Sequence, residues 1–131
     1  MSLDTTLKVS IDLDDRSYDI HIASGLLELA SAWQGLPSAA TALIVTNDTV
    51  GPLYAQQLQR SLSAHYPKVL TLSLPDGEAY KTWETLQSIF DVLLQNACDR
   101  KTVLFALGGG VVGDIAGFAA ACYMRGVPFV Q

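Results

Sequence analysis

Gly108, Gly110 and Gly113 stand at the spacing G-x-G-x-x-G within the stretch LFALGGGVVGDIAGFAAACYMRG, residues 104–126. An apolar run precedes them and a helical pattern of small residues follows, which is the strand-to-helix context that gives this motif meaning. Glycine permits a tight turn and lacks the Cβ that would hold a phosphate away. A helix starting behind the turn aims free N–H groups and a partial positive charge at an anion. Taken alone, the same residues could also form a plain tight turn. Gly113, Ala116, Gly117, Ala120 and Ala121 keep one helix side small, which allows close packing. The acidic residue that a dinucleotide fold carries about twenty positions later, for the ribose, has no counterpart around Pro128.

Two further corners carry polar residues. TNDT (Thr46–Thr49) offers Asn47 and Thr49, and DGEAYK (Asp76–Lys81) offers Asp76, Gly77, Glu78 and Lys81. Glu78 can accept ribose hydroxyls with both oxygens, or be a solvated loop acid. Lys81 can meet a phosphate or a ribose, or point into water. Asn47 and Thr49 can bond a ribose or adenine, or close an Asx turn. Asp114 lies in a first helical turn, where a carboxylate is favoured in any case. Arg125, near the other end of that helix, can fork onto a phosphate or carboxylate, or complement the helix dipole.

The elements that must position these residues follow from periodicity. Leu7, Val9, Ile11 and Leu13, then Tyr18, Ile20 and Ile22, alternate with polar residues about an Asp-rich turn, so an N-terminal β-hairpin with one buried face is predicted. His21 falls on its polar face. Ser24 is placed to cap a short helix through Trp33, with Leu26, Leu29, Ala30 and Trp33 on one side, and Gly35 and Pro37 end it. Ala42–Asn47, Val69–Leu74 and Val103–Leu107 are apolar runs that suit buried parallel strands. Tyr54, Leu58 and Leu62 mark a helix, with His65 exposed beyond its end. Thr82 caps another helix, whose stripe is Trp83, Leu86, Ile89, Phe90, Leu93, Leu94 and Ala97. The glycine helix runs from about Val111 to Tyr123, and Phe129-Val130-Gln131 begins one more strand. Strand–helix repeats of this kind make an α/β fold, a Rossmann-like parallel sheet with helices on both faces. All three corners then open on one edge, outside the carboxyl ends of the strands.

The 131 residues fit one domain of ordinary globular composition. A net charge of -5 without a Lys/Arg run argues against nucleic-acid or anionic-membrane partners. Cys98 and Cys122 belong to no CxxC and sit in apolar helical contexts, as reduced, buried thiols do. Met1–Lys8 lacks the pattern of a secretory signal, and no apolar stretch reaches spanning length, so a cytoplasmic setting is expected.

The segments IVTNDT, LPDGEAYKTWETL and ALGGGVVGDIAGFAAACYMRGVPFVQ, in this order, closely resemble the amino-terminal domain of the 3-dehydroquinate synthase family. The likeness runs from SYDIHIASG onward. It implies a part in converting 3-deoxy-arabino-heptulosonate 7-phosphate to 3-dehydroquinate and phosphate, a lyase step of the shikimate pathway to aromatic amino acids. In that family a tightly held NAD+ oxidises a ring hydroxyl transiently, phosphate is eliminated, and the ring opens and recloses. A zinc or cobalt ion polarises the oxidised centre. By this resemblance Gly109, Gly110 and Val111, with Gly113 in the same motif, lie against the NAD pyrophosphate. Glu78 and Lys81, in the turn opened by Asp76 and Gly77, meet the adenosine portion, and Asn47 and Thr49 border it. Asp114 approaches the nicotinamide, and Arg125 contacts the phosphorylated sugar-acid substrate, in its own subunit or across a homodimer.

The family's chain continues into a helical domain with a Thr-Thr pair, lysines, and zinc ligands from one Glu and two His. His21 and His65 match none of these. Residues 1–131 are therefore expected to be a single NAD-binding domain without the metal/substrate domain, inactive by itself and with apolar surface exposed. A different sugar-phosphate cyclase or polyol dehydrogenase half shares the glycine corner, and a non-catalytic nucleotide-binding module is the remaining alternative. The unbroken GGGVVGD–AGFAA–RG block argues for the first family.

Overall fold

The structure, a computed structural model, describes residues 6–131, so the first five positions of the Met1–Lys8 segment lie outside the described residues. The chain forms two compact units, Met1–Gln34 and Gly35–Gln131. Among the described residues no helix is long and apolar enough to cross a membrane.

In the first unit, β1 (Leu7–Ile11) and β2 (Tyr18–Ile22) pair antiparallel as predicted. Leu7 faces Ile22, Val9 faces Ile20 and Ile11 faces Tyr18, so period two gathers the apolar side chains on one face. Lys8, His21, Ser10 and Asp19 share the other, where Ser10 Oγ donates to Asp19 at 2.8 Å. The apolar face is not buried as expected: Leu7, Val9, Tyr18, Ile20 and Ile22 are all exposed. A two-stranded ribbon has only its own side chains with which to cover itself. The helix expected from Ser24 to Trp33 is also replaced, by two 3₁₀ turns, Leu26–Glu28 and Ala30–Trp33. Gly25, not Ser24, stands at the first N-cap with φ 72°, and extended Leu29 separates the turns. A segment between two left-handed glycines, Gly25 and Gly35, is too short to offset helix nucleation.

The second unit is the α/β fold expected. Its strands are β3 (Thr41–Asn47), β4 (Lys68–Leu74), β5 (Val103–Ala106) and β6 (Phe129–Val130), all parallel, in the order β4-β3-β5-β6. The helices are α1 (Gly51–Ser63), α2 (Trp83–Gln95) and α3 (Gly110–Cys122). Leu43, Val45 and Leu104 pack with Leu86, Ile89 and Leu93 of α2 and Ile115, Ala116 and Ala119 of α3. Ile44 and Phe105, one residue on, take the opposite face. There Phe105 meets the Tyr66 ring edge-on at 5.8 Å, and α1 packs against β3 and β4 with Leu58 and Leu62 buried. Thr82 caps α2 as predicted, its Oγ1 accepting from the Thr85 N–H at 3.3 Å. At 3.6 residues per turn, Trp83 and Leu94 fall on one flank of the stripe and are exposed, not core. Tyr54 is likewise exposed.

Cys98 is buried just past α2, while Cys122 is exposed, against expectation, because it faces away from the small-residue side of α3. Beyond Cys122, Met124 and Arg125 take φ of 46° and 66° and Gly126 a φ of 117°, which turns the chain back toward β6. The Val127 N–H then donates to Ala120 O at 2.8 Å. The crossover from β3 to β4 runs one way along the sheet, and the one from β4 to β5 runs back past β3. The carboxyl ends of β3 and β5 therefore flank a topological switch point, where open α/β sheets hold ligands.

Candidate functional site

Four glycines of the corner after β5 do different work. A Cβ on Gly108 would lie 2.9 Å from Val112 Cγ2, and Val112 is core, so packing excludes a side chain there. A Cβ on Gly113 would lie 2.8 Å from the Gln131 amide. At Gly109 and Gly110 a Cβ would meet nothing within 4 Å, and Gly109 has an ordinary φ of −84°. Nothing in the chain calls for glycine at those two positions; a group approaching the backbone from outside would. α3 begins at Gly110, and its first ladder bond runs from the Gly113 N–H to Gly109 O at 3.0 Å. The N–H groups of Gly110, Val111 and Val112 thus precede any helical acceptor and are available to an anion. The residues present fit a dinucleotide pyrophosphate at this cradle.

The corner is fastened to β3. Thr46 Oγ1 donates to Leu107 O at 2.8 Å, and the Leu107 N–H donates to Val45 O at 2.9 Å. Thr46 escaped the sequence reading, for an apolar-strand context gives no sign that its hydroxyl spans to the next strand. On the other side of β3, Asn47 Oδ1 accepts from the Thr49 and Val50 N–H groups at 3.1 and 2.7 Å, which is the Asx turn. Asn47 Nδ2 and Thr49 Oγ1 both donate to Asp76, at 3.2 and 2.7 Å. Gly77 follows with φ 120°, a conformation that favours glycine, and a single 3₁₀ turn, Glu78–Tyr80, swings the chain toward α2. Lys81 then reaches α3: its Nζ lies 2.7 Å from Asp114 Oδ2 and 3.7 Å from Glu78 Oε2. The hydrogen bond to Asp114 raises the Lys81 pKa above 10.5. Eleven predicted contacts, Asn47, Thr49, Asp76, Gly77, Glu78, Lys81, Gly109, Gly110, Val111, Gly113 and Asp114, thus lie along the carboxyl edge of one sheet.

Below the Lys81–Asp114 pair, a cavity of about 270 Å³ opens between α2 and α3. Trp83 and Phe118 form its aromatic wall, edge to face at 5.9 Å, with Leu86 and Ile115 beneath. Trp83 is 74% exposed and Phe118 50%. Sequence reasoning missed this cavity because Trp83 continues the apolar period of α2.

Arg125 stands apart. It is exposed at the far end of α3, which at 1.5 Å per residue is on the order of 20 Å from Gly110. Among the described residues no three His, Cys, Asp or Glu side chains gather as a metal site.

Residues 71–131 match the family model described as 3-dehydroquinate synthase N-terminal. Among solved structures, 2-deoxy-scyllo-inosose synthase complexed with carbaglucose-6-phosphate, NAD+ and Co2+ is similar over 94% of this chain and 34% of its own, with a TM-score of 0.83 and 22% identity. The 2-epi-5-epi-valiolone synthase from Streptomyces hygroscopicus subsp. jinggangensis 5008, with NAD+ and Zn2+ bound, is 33% identical over 69% of this chain and 26% of its own, with a TM-score of 0.57. Glycerol dehydrogenase from Schizosaccharomyces pombe shares the fold at 21% identity over 70% of this chain and 22% of its own, with a TM-score of 0.51. The chain spans about a third or less of the length of these relatives. The segment that the family model matches, residues 71–131, is the one that carries both the DGEAYK turn and the glycine cradle.

Proposed function

We propose that this chain is the NAD-binding half of a 3-dehydroquinate synthase. The observation that carries the reading is the cradle at Gly109 and Gly110, which is open to the outside at the N-terminus of α3 and at the switch point of the sheet. The family match and the unbroken glycine block favour 3-dehydroquinate synthase among the cyclases. NAD+ bound there would supply the transient removal and return of a hydride.

The chain's own residues would bind and orient it. The N–H groups of Gly110 and Val111 would hold the pyrophosphate, and Glu78 the adenosine ribose. Lys81 would meet the adenosine portion beside Glu78, and Asp114, bonded to Lys81, would approach the nicotinamide. The divalent metal and most substrate contacts would come from the other two thirds of a protein as long as its relatives. Residues 1–131 alone would then bind nucleotide without turnover. Arg125 stands at the far end of α3 from the cradle, and by this reading it would serve the partner's site in a homodimer.

Calorimetric titration with NAD+ tests the first point. The 131-residue chain is expected to bind saturably and Gly110→Val to lose at least about tenfold in affinity, as a blocked phosphate approach would cause. A folded parent chain that ignores NAD+ would overturn it. In the full-length protein, turnover of 3-deoxy-arabino-heptulosonate 7-phosphate but not of a hexose 6-phosphate separates this reading from an inosose-synthase-like one. Mixing Arg125→Ala with Gly110→Val protomers should restore activity that neither shows alone, if Arg125 crosses to its partner. No restoration would return Arg125 to the role of a helix-end charge.

A further inference from the structure

We infer that Asp76 is a positioning residue: its carboxylate fastens the corner after β4 to the corner after β3 and so sets where Glu78 and Lys81 stand. The purpose of this bolt rests on the nucleotide-binding reading above, whereas its existence rests on geometry alone. Asp76 spends one oxygen on Asn47 Nδ2 at 3.2 Å and the other on Thr49 Oγ1 at 2.7 Å. Asn47 is 7% exposed, and its own oxygen holds two backbone N–H groups, so the amide that reaches Asp76 is fixed from behind. Thr49 and Asp76 are themselves exposed, so the buried Asn47 amide is the fixed end of the link.

The position in the chain explains why such a link is needed. β4 is an edge strand, and its ladder with β3 ends at the pair Asn47 and Leu74. One more backbone bond follows, from the Asp48 N–H to Leu74 O at 3.0 Å. Past that point the Asp76 side chain is what reaches back to β3. Gly77 turns the chain at the next residue, and Glu78 stands in solvent with its side chain 77% exposed. The place of Glu78 therefore follows from the backbone behind it. Hydrogen bonds to a carboxylate are about twice as strong as neutral ones, so one side chain suffices for the task.

Amide hydrogen exchange on the nucleotide-free chain tests this. In Asp76→Ala and in Thr49→Val, the amides of Tyr80 and Lys81, which donate to Gly77 O and Glu78 O at 3.1 Å, should exchange about tenfold faster, with β3 and β5 unchanged. Asp76→Asn should restore slow exchange, since its carbonyl accepts from Asn47 and its amide donates to the Thr49 hydroxyl. NAD+ affinity should follow the same order, reduced in the Ala and Val variants and kept in Asn. Unchanged exchange in Asp76→Ala overturns the inference. So does an Asn variant that keeps slow exchange yet loses as much affinity as Ala, because the charge would then touch the nucleotide itself. If Asp76→Ala fails to fold, Thr49→Val decides by its exchange alone. A parent chain that does not bind NAD+ defeats the functional reading and leaves the exchange result standing.

Discussion

At Gly108 a methyl group would collide with Val112, and at Gly110 it would meet open space. Gly108→Ala is therefore expected to cost about 1–3 kcal/mol of stability through overpacking. Gly110→Ala should stay within about 1 kcal/mol of the parent, since alanine is the better helix former. Urea denaturation of the two variants checks the contrast. The motif was legible as a string, but the division of labour among its glycines was not, since it depends on which way each absent Cβ would point. The cysteines show the same limit. Burial raises the Cys98 thiol above its usual 9.0, and Cys122 is exposed. A maleimide should label Cys122 in the folded chain and Cys98 only after unfolding; equal labelling rates would contradict the packing around Cys98.

Among the elements, α2 was the most readable and α3 the most consequential. Thr82 declared itself by type and position, and Thr82→Ala should cost about 1 kcal/mol, measured by thermal unfolding. Trp83 misled because the period that continues the core also runs onto its flank. The hairpin was found but its burial was not, since alternation tells which residues share a face and not what lies over it. Between elements, Lys81 ties the α2 entry to α3. Its pKa is raised, so its contribution to stability is fully present below about 10.5 and is lost as pH climbs through the raised value. Stability should fall more steeply above pH 10 in the parent than in Lys81→Met, and parallel curves would remove the pair from the account.

For the whole molecule, the parallel sheet followed from strand–helix alternation, but the order β4-β3-β5-β6 did not, because a crossover can return to either edge. That order decides that the TNDT and glycine corners are neighbours. The uncovered apolar side chains of Val9 and Ile20 have their own outcome at this scale. Val9→Thr with Ile20→Thr should lower binding of a hydrophobic dye, and an unchanged signal would mean that this face is covered in solution. The strand order also bears on synthesis. β3 and β4 pair from neighbouring stretches, whereas β5 must slot in on the other side of β3, with Leu107 bonding to Val45 across the whole α1, β4 and α2 stretch. On a ribosome delivering the chain from its amino end, the first two strands can associate while the flank of β3 still waits for its neighbour. The glycine corner then takes its place beside β3 only when that late strand docks. A nucleotide bound there, as proposed, would reward the finished sheet but would not guide the early steps that build it.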